Sequence, residues 1–414
     1  MADDRFIMSK HYRFWLSCLL FAIPFCYPFR PLIGRITHLH VYIVMYSAIW
    51  ILLFSLLIKT RRLIISKGLS LMFAYYILLL PISPDYSSGL KWIINLLTGI
   101  VIAGFFNSNV KDEESEVSLW FPMIIGTLLC SILFLPSVVR LLPVSLKYNY
   151  LIRIPYMEGD ISIGPNGWAT TLAFSFLLLL FLFSYKKIRT FAFIFLIMAI
   201  LFFMLLTQSR TQTYSVIAVS GIYIFINMFS RKHSINMNVL SFFFLGASVF
   251  LLVWIIRDSV AGSERIENLD FNGRFPIWNL AREIYWNDMN VLRKMFGVGT
   301  GGTSVYLQNV GGAEFIVTGE HISAHSIYID SLISSGIIGS FIVIGYWLRA
   351  MWLLLKSQNS IYCIFPLYLL FSGIGTHAFM SWEYGFLIAF TEIGLYKYSQ
   401  SLKTKMVDVK SQRA

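Results

Sequence analysis

Apolar runs of about twenty residues recur along this chain, and a run of that length crosses the hydrocarbon core of a bilayer as a helix. They stand near 14–29, 38–58, 68–84, 90–107, 118–136, 165–185, 190–207, 212–229, 237–256, 326–348, 359–377 and 382–397. In lipid every backbone N–H and C=O needs an internal partner, so helices are the structures such runs dictate. Composition agrees. Of 414 residues, 57% are hydrophobic and only 13% charged, where a soluble domain carries about 25% charged residues. An aromatic share of 17% suits lipid contact and interfacial belts. The expected fold class is an all-α polytopic membrane protein of about 12 transmembrane helices.

The distribution of positive charge orients these helices. The net charge is +12, but the basic residues lie in short clusters between apolar runs and form no continuous stripe, which excludes a nucleic-acid partner. With both termini inside, 20 of the 33 basic residues fall on inner segments, and six of the outer ones belong to a single long loop. Long loops are largely exempt from the positive-inside rule. The expected location is therefore a bacterial inner (cytoplasmic) membrane, multi-pass, with cytoplasmic N- and C-termini. The first run follows charged residues, has no small-residue cleavage site after it, and reads as a retained span. The four cysteines, Cys18, Cys26, Cys130 and Cys363, lie in or beside apolar runs and have neither a disulfide-scaffold nor a metal-site spacing.

The expected organisation is transmembrane helices 1–9 over residues 1–256, a large periplasmic loop over 257–322, transmembrane helices 10–12 over 323–397 and a cytoplasmic tail over 398–414. The loop carries Phe271, Phe275, Ile277, Trp278, Leu280, Ile284, Tyr285 and Trp286, too many apolar side chains for disorder. Ile277, Leu280 and Ile284 follow helical spacing. Pro276 suits the first turn and Asn272 a cap. This predicts a short amphipathic helix over the outer, membrane-facing surface.

Four segments hold residues that could carry chemistry. In Thr207-Gln208-Ser209-Arg210-Thr211-Gln212 a polar knot interrupts two apolar stretches. A snorkelling arginine at a span end would give the same pattern, but the outer side and the polar neighbours favour function, since ionisable residues near membrane depth tend to be functional. A fixed guanidinium suits a phosphate or pyrophosphate. In Asn272-Gly273-Arg274-Phe275-Pro276-Ile277-Trp278, Arg274 opens the predicted loop helix, where free N–H groups attract anions; a solvated loop arginine is the competing reading. Gly297-Val298-Gly299-Thr300-Gly301-Gly302 lacks the Lys-Ser/Thr of a nucleotide loop and reads as a flexible turn or as a tight turn near substrate. In Ser323-Ala324-His325-Ser326-Ile327-Tyr328-Ile329-Asp330, Ser323 resembles an N-cap. His325 is then expected in the first helical turn, where the dipole favours neutral imidazole and general-base work. His321 competes for that role. No carboxylate pair has glycosidase placement, and no carboxylate cluster suggests a metal; no cofactor is expected. Asp330 and Glu392 are the notable acids near spans.

The order "TQSR", "GRFPIW", "FGVGTGG" and "SAHSIYIDSLISSGIIG" resembles the O-antigen ligase and polymerase superfamily, which includes exopolysaccharide polymerases, over roughly residues 165–345. The resemblance implies a GT-C-type glycosyltransferase with a large periplasmic loop, acting without a metal on undecaprenyl-diphosphate-linked glycan donors. It implies that Arg210 and Arg274 hold the diphosphate and that His325 activates the acceptor hydroxyl. Many members carry Asn after this histidine, where this chain has Ser326. The candidate substrate-binding set taken from these motifs adds Ser209, Trp278, His321 and Tyr328 to the two arginines.

The implied reaction is attack of an acceptor hydroxyl on the anomeric carbon, with inversion and loss of lipid diphosphate. Arginines would stabilise the leaving group and His325 would take the proton. A polymerase would use a lipid-linked repeat unit as acceptor, with room for a separate chain-length regulator. The alternative is an O-antigen ligase transferring to lipid A-core. A flippase or transporter of lipid-linked oligosaccharide ranks lower, because many transporters show internal repeats and this chain shows none.

Overall fold

The computed structural model describes residues 10–29, 47–51, 53–54, 63–109, 118–137, 139–140, 155, 164–229, 274–311, 324–357, 360–376, 379 and 381–411. Among these there are helices and no strands. In chain order the main helices are α1 (Lys10–Cys26), α2 (Lys67–Leu79), α3 (Tyr86–Asn109), α4 (Phe121–Leu133), α5 (Pro165–Ser184), α6 (Thr190–Thr207), α7 (Arg210–Phe229), α8 (Arg274–Glu283), α9 (Val291–Phe296), α10 (Thr303–Gly311), α11 (Ile327–Lys356), α12 (Ile364–Ser372) and α13 (Trp382–Ser411). Among the described residues five stretches are long and apolar enough to cross a membrane: His11–Phe29, Tyr86–Ser108, Pro165–Ser184, Thr190–Thr207 and Ile327–Lys356. Lys67–Ile82, Phe121–Ser137 and Ile361–Ser372 are shorter apolar helices. The span expected at 237–256 lies outside the described residues.

The chain divides into two compact units, one of residues 1–62 and 108–267, the other of 63–107 and 268–414. The first is built around α5, whose residues from Trp168 to Leu182 are all buried. A helix apolar on every face must be surrounded, and α4, α6 and α7 pack on it. Its start is set by Gly164 as N-cap and Pro165 in the first turn, where proline's missing N–H costs nothing. Buried polar contacts tie α4 to α5. Trp168 donates its indole N–H to Ser131 Oγ at 3.1 Å, and Ser175 Oγ donates to Thr127 Oγ1 at 2.8 Å. Between membrane helices such bonds replace the hydrophobic driving force that lipid does not supply.

The second unit holds α2, α3 and α8–α13. Close backbone approach joins α3 to α13: a Cβ at Gly385 would lie 2.6 Å from the Asn95 carbonyl oxygen, and Asn95 Nδ2 donates to Phe379 O at 3.0 Å. Glu392 on α13 is buried and accepts from Ser66 N–H at 2.7 Å, Ser66 Oγ at 2.6 Å and Tyr346 Oη at 2.7 Å, which links the start of α2 to α11 and α13.

The spine of this unit is α11, and it is broken. Gly336 has φ 66° and ψ −172°, a conformation open essentially to glycine alone. In an unbroken helix the carbonyls of residues 333 and 334 would accept from residues 337 and 338. Here Val298 N–H donates to Ile333 O and Gly299 N–H to Ser334 O, both at 2.9 Å. The next carbonyl, Ser335 O, accepts from Tyr75 Oη at 2.8 Å. The same glycine segment reaches the end of α2, where Thr300 Oγ1 donates to Tyr76 O at 2.7 Å. Gly297, Gly299 and Gly301 all have positive φ, and a Cβ on any of them would fall inside 3.0 Å of neighbouring backbone. The flexible turn expected at 297–302 is thus a fixed stitch between α2 and α11; its glycines allow backbone to touch backbone, which spacing alone does not reveal.

Candidate active site

The helix predicted with Pro276 in its first turn forms as α8, and its last turn enters a buried cluster. Ala281, Ile284, Tyr285, Met289, Val298, Tyr306, Leu307, Ala324 and Ile333 form that cluster, with Leu280 and Ile329 against it. A single π-helical turn, Ile284–Asp288, follows α8 and rotates Tyr285 inward. Burial raises the Tyr285 phenol above its ordinary pKa, consistent with its role as a hydrogen-bond donor to Lys294 O at 3.0 Å. The loop helices and the first half of α11 therefore share one core. The proposed cap, Asn272, lies outside the described residues.

At the edge of that core sits His325. It is half-buried between fully buried Ala324 and buried Ser326. The helix begins at Ile327, with Ser326 as N-cap and no capping bond from its side chain. His325 thus precedes the helix by two residues, which corrects the expectation of a first-turn position. The cause is local: His325 has φ 48°, a left-handed conformation incompatible with helix start. Non-glycine residues held this way cost of order 1–3 kcal/mol and persist where their surroundings over-determine them.

Those surroundings are visible on both sides of the histidine. Trp278 of α8 donates its indole N–H to Ala324 O at 2.8 Å. Ile327 N–H donates to Gly373 O at 2.8 Å, and Tyr328 Oη donates to Leu370 O at 2.5 Å, so the end of α12 holds the start of α11. One turn further on, buried Thr303 donates Oγ1 to Asp330 O at 3.1 Å, and Asp330 itself is buried. Trp278 thus uses its polar atom on the carbonyl next to His325, while Tyr328, three residues after the histidine, ties the start of α11 to α12. Arg274 is the first residue of α8, one turn before Trp278 on the helix.

Arg210 belongs to the first unit. There α6 ends on Gln208 in the left-handed conformation, φ 58° and ψ 26°, a common helix stop. Ser209 is buried, its N–H 3.3 Å from Thr207 Oγ1, and its carbonyl accepts from Thr213 N–H at 3.2 Å. Half-buried Arg210 then opens α7, so the polar knot is a helix–turn–helix break with the arginine on its exit. His321 and Ser323 lie outside the described residues.

Thr303 and the Ala324 carbonyl were not singled out from sequence as parts of this site, and Gly336, although within the SAHSIYIDSLISSGIIG motif, was not expected to break the helix. The glycine in Ser334-Ser335-Gly336 was the available signal, since glycine inside an apolar helical run marks a bend or a close approach.

Residues 195–344 match the family model for O-antigen ligase. That match covers a little over a third of the chain and supports the O-antigen polymerase and ligase superfamily. It takes in the Arg210 turn, the loop helices, the glycine stitch and the His325 frame. No curated protein matches the chain. The match, with the apolar helices, points to a membrane protein with polymerase- or ligase-type activity on lipid-linked glycans.

Proposed function

We propose that this protein is a surface-polysaccharide polymerase of the inner membrane. It transfers a glycan from undecaprenyl diphosphate to a hydroxyl of a lipid-linked repeat unit on the periplasmic face, with inversion and without a metal. The observation that carries the reading is that the O-antigen ligase match contains a histidine held in a strained backbone conformation by a tryptophan of the adjoining loop helix. Strain of this kind concentrates at functional sites.

In this mechanism His325 accepts the proton of the acceptor hydroxyl as its oxygen attacks the anomeric carbon. The bond from that carbon to the diphosphate oxygen breaks, and the leaving group departs as lipid diphosphate. Arg210 and Arg274 hold and neutralise it, a form of electrostatic stabilisation that often dominates catalysis. Ser209 and His321 complete the proposed substrate-binding set. Trp278 and Tyr328 fix the histidine and offer ring faces to sugar. Twelve spans in a GT-C-like arrangement, with residues 257–322 outside and both termini inside, complete the topology.

The match to the O-antigen ligase family favours a second reading, an O-antigen ligase that delivers the glycan to lipid A-core. One strain series separates the readings. A deletion strain is complemented with wild type or His325→Ala, and its glycans are analysed. The expected result is normal membrane abundance with lipopolysaccharide capped by a single repeat. Full-length polymer retained on undecaprenyl diphosphate would make the protein a ligase. Repeats trapped on the cytoplasmic leaflet would make it a flippase, and wild-type glycan in the mutant would remove His325 from the chemistry.

A further inference from the structure

The second unit contains a cavity lined by none of the residues that frame His325. It has a volume of about 610 Å³, within the range of ligand pockets, roughly 300–1,000 Å³. It lies between the start of α2, the later half of α11 and the middle of α13. Arg349, on its wall, lies on α11 beyond the Gly336 break, 22 residues after Ile327.

Its chemistry is divided. The walls are apolar, with Leu71, Phe341 and Leu353 among them, on helices that are themselves apolar. The rim carries two exposed cations, Lys67 in the first turn of α2 and Arg349 on α11. The lining carboxylate, Glu392, is buried and already covered by the three donors from Ser66 and Tyr346, which leaves the lysine and arginine as the charges presented outward. Gly345 also lines the cavity, and a Cβ there would meet nothing within 4 Å, so the groove is open at that point.

We infer that this cavity is a binding site for an anionic phospholipid, with an acyl chain along the apolar wall beside Gly345 and the phosphate at Lys67 and Arg349. Charge complementarity selects the headgroup, since basic pockets between membrane helices favour anionic lipids. The apolar walls select a lipid over a soluble phosphate. This site is separate from the proposed transfer chemistry and does not depend on it.

Native mass spectrometry of the full-length protein, released from detergent, tests it by titration with dioleoyl phosphatidylglycerol and dioleoyl phosphatidylcholine. The expected result is one tightly held phosphatidylglycerol. Lys67→Gln or Arg349→Gln should weaken that adduct about fivefold each, and the double variant roughly thirtyfold, with phosphatidylcholine unchanged. Gly345→Leu keeps both charges, fills the groove and should displace the phosphatidylglycerol while the protein still elutes as a single species. Equal binding of the two lipids by wild type would overturn the inference, as would undiminished binding by the double variant or by Gly345→Leu. Competition by inorganic phosphate at the same concentration, or tighter binding of undecaprenyl phosphate, would also overturn it.

Discussion

Gly336→Ala and Gly345→Ala place the same methyl group on the same helix nine residues apart, and the structure assigns them opposite outcomes. At Gly336 the backbone lies in a region nearly closed to alanine, which costs of order 1–3 kcal/mol. The new Cβ would also fall inside 3.0 Å of the Met295 carbonyl and 2.6 Å from Gly297 N. Relieving that clash moves α11 away from the glycine stitch and weakens the bonds from Val298 to Ile333 and from Gly299 to Ser334, worth about 0.5–1.5 kcal/mol each. The total is roughly 2–6 kcal/mol. At Gly345 the Cβ enters open space in regular helix, where Ala is favoured over Gly by about 0.5–1 kcal/mol. Fluorescence-detected thermal unfolding in detergent reads both. Gly336→Ala should lower the midpoint by several degrees and abolish transfer, while Gly345→Ala should hold or raise it. Equal midpoints for the two variants would refute the account of the break as a backbone-locked joint.

Trp278→Phe keeps the ring and deletes the bond to Ala324 O; kcat should fall about tenfold with KM nearly unchanged, and an unaltered kcat would show that the indole N–H does not position His325. Arg210→Ala and Arg274→Ala should impair donor use more than Arg→Lys at the same positions, because lysine keeps the charge but loses the bidentate fork; equal activity of all four would exclude diphosphate contact. Glu392→Leu removes the acceptor for three donors and should destabilise the second unit by at least about 2 kcal/mol, measured as a lower thermal midpoint, whereas Glu392→Gln should lose less.

Elements governed by local pattern were legible in the sequence. The apolar stretches 165–185 and 190–207 correspond to α5 and α6 within a residue, because apolar length with capping residues settles a membrane helix on its own terms. The Thr207–Gln212 knot was legible as a break for the same reason. What failed was information held at long range. Ser323 looked like a cap for the helix of His325, but the helix starts later, because bonds from Trp278 and to Gly373 fix a left-handed histidine that no local propensity encodes. The glycine segment 297–302 read as a turn because its partners, Ile333 and Ser334, lie more than thirty residues downstream. Glu392 stood out as an acid near a span, while its ties to Ser66 and Tyr346 required the folded chain.

The pairing of residues 298 and 299 with carbonyls 333 and 334 also limits how such a chain can change in length. One residue inserted between Met289 and Thr303 would present each amide to the wrong oxygen and turn Thr300 away from α2. One residue inserted between Ile327 and Gly336 would carry the histidine a third of a helical turn around the axis. The pairing thereby fixes the length of these two intervals and places no such constraint on the number of residues between Thr303 and Ile327.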